Sequence, residues 1–177
     1  MKTLTALFVL AVAFIAAAPA EAAGPAGRVA PGMSLTGGFS NLTWDGCCAP
    51  GFFVNLTRTI GAPAQRDGDR EMRLVVDFGR QHWTFENDLT LVAGPRWQFD
   101  RAGDVDFFAE VTAGLIRYTT MNNSGNYFMF GGGGGVLYHI NDRLGVSGQF
   151  DLWGKQHNGF DLITRLAVGV VVDLGQK

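Results

Sequence analysis

Cysteine and lysine are scarce in this chain, and their scarcity argues against several classes of fold and function. Its 177 residues include two cysteines, which are neighbours, Cys47 and Cys48. Neighbouring cysteines cannot link distant parts of a fold, so the sequence predicts no disulfide scaffold. A structural zinc site typically takes separated ligand pairs, so no metal or cofactor is predicted. The pair forms either a strained vicinal disulfide in an oxidising compartment or two thiols in a loop.

Charge and long apolar runs are also limited. The chain has 14 basic residues, only three of them lysine, against 16 acidic ones. This slightly acidic balance argues against nucleic acid as a partner. After the first 22 residues no window approaches 18 consecutive apolar residues, so the sequence predicts no helical membrane span.

The first 22 residues are predicted to be a secretory signal peptide. A short positive start, Met1-Lys2-Thr3, precedes an apolar run from Leu4 to Ala18. Ala20 and Ala22 then place small residues at the −3 and −1 positions of a cleavage site. We expect export across one membrane, a flexible lead-in over residues 23–31, and a single domain over 32–177.

Strict alternation dominates the rest of the chain. In "LTLVAGPRWQF", residues 89–99, one parity is apolar and the other is small or polar, which is the period of a β-strand. Eight such segments are predicted as strands: 32–42, 51–60, 71–82, 88–100, 104–119, 126–140, 143–156 and 160–174. No segment shows a convincing helical period, so we expect an all-β, antiparallel, up-and-down barrel of eight strands.

The connections are predicted to differ between the two ends of this meander. "RAGD" (101–104) and "NDR" (141–143) are typical of tight turns, whereas the other end has looser loops. These loops are placed at 43–50, 83–87, 119–125 and 157–159. The long, charged "GAPAQRDGDR" (61–70) falls where a tight turn is expected. It is either a periplasmic insertion or a sign that the register of strands two and three is misplaced.

Charges in the middle of strands lie on the face opposite the continuous apolar one. The residues concerned are Arg73, Asp77, Arg96, Glu110, Asp151 and Arg165. In a secreted or periplasmic lipocalin-like barrel that binds a small apolar ligand, they would face water. The polar face, however, is rich in Gly, Ser and Thr and poor in Lys, and the apolar stripes are long enough to cross a bilayer. We therefore predict a transmembrane barrel with these ions paired in its lumen.

Single residues refine that prediction. Arg96 is expected to pair with Glu110 on the next strand, or with Asp77 or Asp151. Pro95 cannot donate to the ladder and a closed barrel has no edge, so a bulge or a local break is expected there. The run "GGGGG" (131–135) lies within a strand and is interpreted as space for a bulky lumen residue or as a bend.

The positions of the aromatic and histidine residues along the strands indicate which of them lie at the membrane interface and whether any could form a site. Four aromatic residues on the apolar parity near the tight turns are predicted to lie at the membrane interface: Trp97, Phe99, Phe107 and Tyr138. His82, His139 and His157 lack ligand spacing, and no serine stands at a suggestive spacing from them. We predict no enzymatic activity. Trp44, Trp83 and the cysteine pair, at expected loop positions, are the only hint of binding through the loops.

With the strands laid out, the chain resembles the small bacterial outer-membrane β-barrel family, which includes the barrels of outer membrane proteins A and X. The segments that carry the resemblance are "MSLTGGFSNL", "AGPRWQF", "FFAEVTAGLIRY", "FGGGGGVLYHINDRLGV" and "RLAVGVVVDLG". The resemblance implies a monomeric barrel without an open pore, in contact with outer-membrane lipid. It also implies insertion by the barrel-assembly machinery with periplasmic chaperones. Family members usually finish with an aromatic residue, whereas this chain finishes with Gln176-Lys177.

Overall fold

A computed structural model provides the structure of the protein. It describes residues 32–44, 47–60, 70–82, 86–99, 104–120, 124–141, 143–156 and 160–174. The predicted signal peptide and lead-in (1–31), Trp83, His157 and most of the 61–70 segment lie outside the described residues. None of the described residues forms a helix long and apolar enough to cross a membrane.

The described residues form eight strands that close into one antiparallel barrel in chain order. The strands are β1 (Met33–Trp44), β2 (Cys47–Thr59), β3 (Arg70–His82), β4 (Glu86–Phe99), β5 (Val105–Thr120), β6 (Ser124–Asn141), β7 (Leu144–Gln156) and β8 (Phe160–Asp173). β1 closes the barrel by pairing with β8, for example Gly38 with Gly169. Closure gives every strand two neighbours and leaves no sheet edge, as predicted.

The predicted sidedness of the strands is confirmed. On β8 the side chains of Leu166, Val168 and Val170 point outward and are 63%, 61% and 55% exposed, whereas Arg165 is 0% exposed. The same alternation runs along the other strands. A local exception lies on β3 and β4, where the outward Val76 and Leu91 are themselves buried among Leu56, Leu74 and Ala93. A soluble barrel with an apolar interior does not fit this arrangement.

The two ends of the barrel are named by what they carry. The end where β1 meets β2, β3 meets β4, β5 meets β6 and β7 meets β8 is the loop end. The opposite end, where the chain enters β1 and leaves β8, is the terminal end. At the terminal end, the Asn141 side chain accepts hydrogen bonds from the backbone N–H groups of Arg143 and Leu144, both at 3.0 Å, which fixes the predicted "NDR" turn.

The predicted loop at 157–159 matches the interval between β7 and β8, but the expectation that the longer connections lie at the loop end is wrong. β1 continues to Trp44 and β2 begins at Cys47, so the expected loop 43–50 is mostly strand, and β5 and β6 likewise extend to Thr120 and from Ser124. Hydrophobic alternation fades in these stretches before the backbone pairing does, because strand pairing depends on backbone groups that polar residues also carry. The longest connection, between Thr59 and Arg70, lies at the terminal end.

Pro95 produces a break without a bulge. It keeps its pairing with Leu74 on β3. Toward β5 the pairing stops after Ala93↔Ala113 and resumes at Arg96↔Glu110 in the same register. Proline has no N–H to donate to that neighbour, and an interrupted ladder accommodates the loss without an extra residue. Between β2 and β3 the register is also uniform, from Gly51↔Gln81 to Thr59↔Arg73.

Candidate functional site

The centre of the lumen is organised around one arginine. The Nη1 and Nη2 atoms of Arg165 donate to the two carboxylate oxygens of Asp77 at 2.6 and 3.0 Å, and its Nε donates to Asp151 at 2.8 Å. All three side chains are fully buried. The guanidinium also lies over the rings of Trp153 and Phe53, 4.6 and 5.5 Å from their centroids. Two carboxylates from β3 and β7 are thus held by a single cation from β8.

A glutamine connects this centre to a second ion pair. The amide nitrogen of Gln149 donates to Asp151 at 2.8 Å and to Glu110 at 2.9 Å. Glu110 in turn accepts a hydrogen bond from the Nε of Arg96 at 2.7 Å, and Arg96 also donates to the Gln149 amide oxygen at 3.3 Å. Five of the six predicted lumen ions therefore belong to one hydrogen-bonded network, which we call the lumen network: Asn55, Asp77, Arg96, Glu110, Gln149, Asp151 and Arg165.

The sixth predicted ion lies apart from that network. Arg73 faces inward from β3, and its Nη2 donates to Glu71 of the same strand at 3.0 Å. Sequence reasoning chose the partner of Arg96 from three acids, and the structure shows Glu110. It did not find Glu71, because only charges in the middle of strands were considered and Glu71 lies at the start of β3.

The glycine run of β6 provides the room for these buried groups. Gly133 lies against the Asp151 carboxylate and Gly135 against the Phe108 ring, and a Cβ at either position would overlap them. Gly131 lies against the backbone of Leu152 and Trp153. The predicted function of the run, space for bulky lumen residues, is therefore what the structure shows.

The loop end of the lumen is filled by aromatic and aliphatic side chains. They are Leu42, Ala49, Val92, Ile116, Tyr118, Met129, Trp153 and Ile163, with Trp44 and Tyr127 packed against them. The indole N–H of Trp153 donates to Thr112 at 3.0 Å, so even this buried donor is satisfied. At this end the interior of the barrel is therefore occupied by packed side chains.

A single lysine is enclosed by the aromatic rings of this end. The Nζ of Lys155 is 3.5 Å from the ring centroid of Trp44, 4.6 Å from that of Tyr118 and 5.3 Å from that of Tyr127. It also pairs with Asp161 at 3.2 Å, and the lysine side chain is 1% exposed. We call these four residues, the lysine and its three aromatic neighbours, the lysine cage. Trp44, assigned to a loop from the sequence, is part of it.

The terminal end of the lumen is lined by smaller and more polar groups. Ser34 and Thr57 share a hydrogen bond there. Asp106 accepts from the Gln98 amide at 2.7 Å and is 2.8 Å from the Nε2 of His139. These side chains form short, local pairs, in contrast to the continuous lumen network.

The four predicted interface aromatics all lie on the outer surface. Phe99 is the register partner of Phe107, and Trp97 is the partner of Ala109. Tyr138 pairs with Val105 at the next level toward the terminal end. They form an arc across β4, β5 and β6 beside the terminal end of the barrel.

The cysteine pair begins β2. The Sγ of Cys48 is exposed on the outer face and lies 3.7 Å from the Thr43 hydroxyl. The side chain of Cys47 lies outside the described part of the structure, so the vicinal disulfide stays a prediction. Within the described residues, no three His, Cys, Asp or Glu side chains come together to hold a metal ion.

Sequence reasoning missed three groups that matter in the lumen. Gln149 and Asn55 are neutral, so a search for charges passes over them, yet both donate to the buried carboxylates. Lys155 is the only lysine within the predicted strands, and the sequence analysis did not assign it a role. Its inward parity with Trp153 and Asp151 was the signal that would have placed it in the lumen.

Comparison with solved structures shows where this architecture has been seen before. Neisserial surface protein A is 15% identical, and the match covers 80% of this chain and 96% of that protein with a TM-score of 0.57. Ail, the attachment invasion locus protein of Yersinia pestis, is 10% identical, with 84% and 100% covered and a TM-score of 0.56. The chain has the fold of small outer-membrane β-barrels. No protein-family model matches the sequence, and neither does any curated protein.

Proposed function

We propose that this protein is an integral outer-membrane β-barrel that acts as a closed structural and surface platform. The observation that carries the proposal is the outward apolar band, which includes Phe39, 81% exposed, and Leu166, 63% exposed. Residues 89–99 of β4 alternate throughout this band, and at about 3.3 Å per residue and a tilt of about 40° they span roughly 25 Å. That height is about the thickness of the apolar belt of outer-membrane barrels.

The packed lumen supports a platform rather than a channel. The lysine cage and the side chains around Trp153 fill one end, and the lumen network crosses the middle. Reconstitution in a planar bilayer should therefore give no stepwise ion conductance. Steady single-channel currents from the wild-type barrel would show that the lumen opens.

Cell fractionation tests the location directly. We expect the protein in the outer-membrane fraction, soluble only in detergent, with a gel mobility that changes on boiling because the closed barrel resists the detergent of the gel. Release with the periplasmic contents would favour the soluble, ligand-binding alternative. Insertion by the barrel-assembly machinery, cleavage of residues 1–22 and a monomeric state belong to the same proposal.

A non-catalytic function is also part of the proposal. Both histidines of the described strands have structural partners, His82 with Asn87 at 2.8 Å and His139 with Asp106 at 2.8 Å. The surface that remains is formed by the strand ends that project beyond the apolar band, since the connections at the loop end are only two or three residues long. Comparing the lipids of cells with and without the protein tests this part, because a lipid-modifying enzyme would change them.

A further inference from the structure

Two arginines lie on the outer surface at the edge of the apolar band near the loop end. Arg80 of β3 is exposed and Arg117 of β5 is half-buried, and both share the outward parity of their strands. Each is the register partner of Leu89 on the intervening β4. The two side chains therefore lie in one row, two strands or about 10 Å apart, with a leucine between them.

The rows on either side of these arginines differ sharply in polarity. Toward the middle of the barrel the next outward row is apolar: Phe78, Leu91, Leu115 and Phe128. Toward the loop end the next row is polar: His82, Asn87, Thr119 and Ser124. The arginine row, which continues to Asn126, thus occupies the level at which a bilayer changes from acyl chains to headgroups.

Counter-charges are lacking around the pair. Neither Arg80 nor Arg117 forms an ion pair with another residue of the described strands. Among the outward strand residues that the structure describes at the loop end, none is Asp or Glu, and the nearby Asp88 points inward and is buried. Because no acidic side chain neutralises these two cations, an anionic group of the membrane can bind them.

We propose that Arg80 and Arg117 form a binding site for the phosphate of a lipid headgroup. A guanidinium donates in a fork that matches phosphate oxygens, and two of them at this spacing can hold one phosphate between them or two adjacent ones. Leu89 and the apolar row below it would contact the acyl chains of the same lipid. The site rests on the proposed membrane insertion, since a soluble barrel would bring no lipid to it.

The test measures which lipids stay bound. Wild-type protein is inserted into vesicles of equimolar phosphatidylglycerol and phosphatidylcholine, extracted gently, and weighed by native mass spectrometry to count the retained lipids of each kind. We expect the wild type to retain phosphatidylglycerol preferentially. In the double variant R80Q/R117Q that preference should fall about 10-fold, since each basic residue near a membrane surface adds to the attraction of anionic lipid.

A matched variant separates a site from general charge. Arg58 of β2, the register partner of Met33, and the exposed Arg143 before β7 both lie at the terminal end. R58Q/R143Q changes the net charge by the same amount, so it should keep most of the preference. Equal loss in both double variants, or an unchanged preference in R80Q/R117Q, would overturn the site. Displacement of the lipid by excess inorganic phosphate, leaving phosphate bound, would also overturn it, because the ligand would then be the free anion.

Insertion is scored in the same samples by the boiling-dependent gel mobility and by flotation with the vesicles. Wild-type protein that fails to float refutes the membrane proposal and the lipid site with it. Protein that floats without preferring phosphatidylglycerol refutes the lipid site alone.

Discussion

The two halves of the lumen are built in different ways. Nine of the eleven largest fully buried side chains, among them Trp153, Lys155 and Arg165, lie in the loop half of their strands. In the terminal half the inward positions carry small residues such as Ser34 and Ser147, and even the charged Arg96 and the polar Gln98 keep 8% of their surface exposed. The loop half therefore holds most of the large, fully buried side chains, whereas several inward side chains of the terminal half keep a small exposed fraction.

This difference determines how much the loss of a partner of each buried charge lowers the free energy of unfolding. A charge without access to water must be paired, and removing its partner leaves an expensive uncompensated ion. A charge that keeps some water can be solvated when its partner is lost. The same type of substitution should therefore lower the free energy of unfolding more in the loop half and the centre than in the terminal half.

The largest effect is expected from R165Q. It leaves the buried Asp77 and Asp151 without their shared cation, and the free energy of unfolding should fall by about 3–5 kcal/mol. R96Q, which removes one partner of Glu110 beside the more accessible half, should cost roughly 2 kcal/mol. Urea unfolding of the refolded barrel in detergent micelles measures both, with R143Q at an exposed turn as the control.

Equal losses for R165Q and R96Q would contradict the contrast between the two halves. A result in which R143Q is as damaging as either would show that net charge, and not the lumen network, sets the stability.

The next effect concerns the glycine wall of β6. In G133A the new methyl group overlaps the Asp151 carboxylate and the Phe150 carbonyl, so we expect a loss of about 1–3 kcal/mol from overpacking. G148A is the matched control, because a Cβ on Gly148 meets no atom within 4 Å on the outer face. The heat-modifiable gel shift and the urea midpoint should both separate the two variants. A harmless G133A would show that the centre is less tightly packed than the contacts indicate.

K155M tests the lysine cage. The methionine keeps an apolar stem but loses the ammonium that lies over three rings, and we expect a loss of about 1–2 kcal/mol. Since Trp44 is the nearest ring, its fluorescence should change in the folded state. Q156M, on the exposed outer face next along β7, introduces the same side chain and should leave both readings near wild type. Stability and fluorescence unchanged in K155M would mean that the cage contributes only packing.

The smallest effect compares two hydroxyls. T112V keeps the shape of the side chain but removes the acceptor of the indole N–H of Trp153, a buried donor of the loop half, which should cost about 1 kcal/mol. S147A in the terminal half should stay within about 0.5 kcal/mol of wild type. If S147A proves as costly as T112V, the terminal half is as tightly organised as the loop half.

Much of the fold follows from local pattern. The eight strands were predicted within a few residues because alternation needs only neighbouring positions, and the side of each strand followed from where Arg73, Asp77 and Arg165 fall. The strand ends were less accurate at Trp44 and Ser124, because hydrophobic contrast weakens there while backbone pairing continues. The site was predicted as a set of charges, but the choice among partners was open, since partners come from strands far apart in sequence.

The sequence by itself determined the number of strands, their direction of exposure and the enclosure of the ions, because a period of two assigns each residue to one face of a strand. Only the tertiary structure decided that Arg165 bridges Asp77 to Asp151, that Gln149 connects them to Glu110, and that Lys155 lies under three aromatic rings. These contacts depend on the closure and register of the barrel, which bring together residues as far apart as 88 positions in the chain.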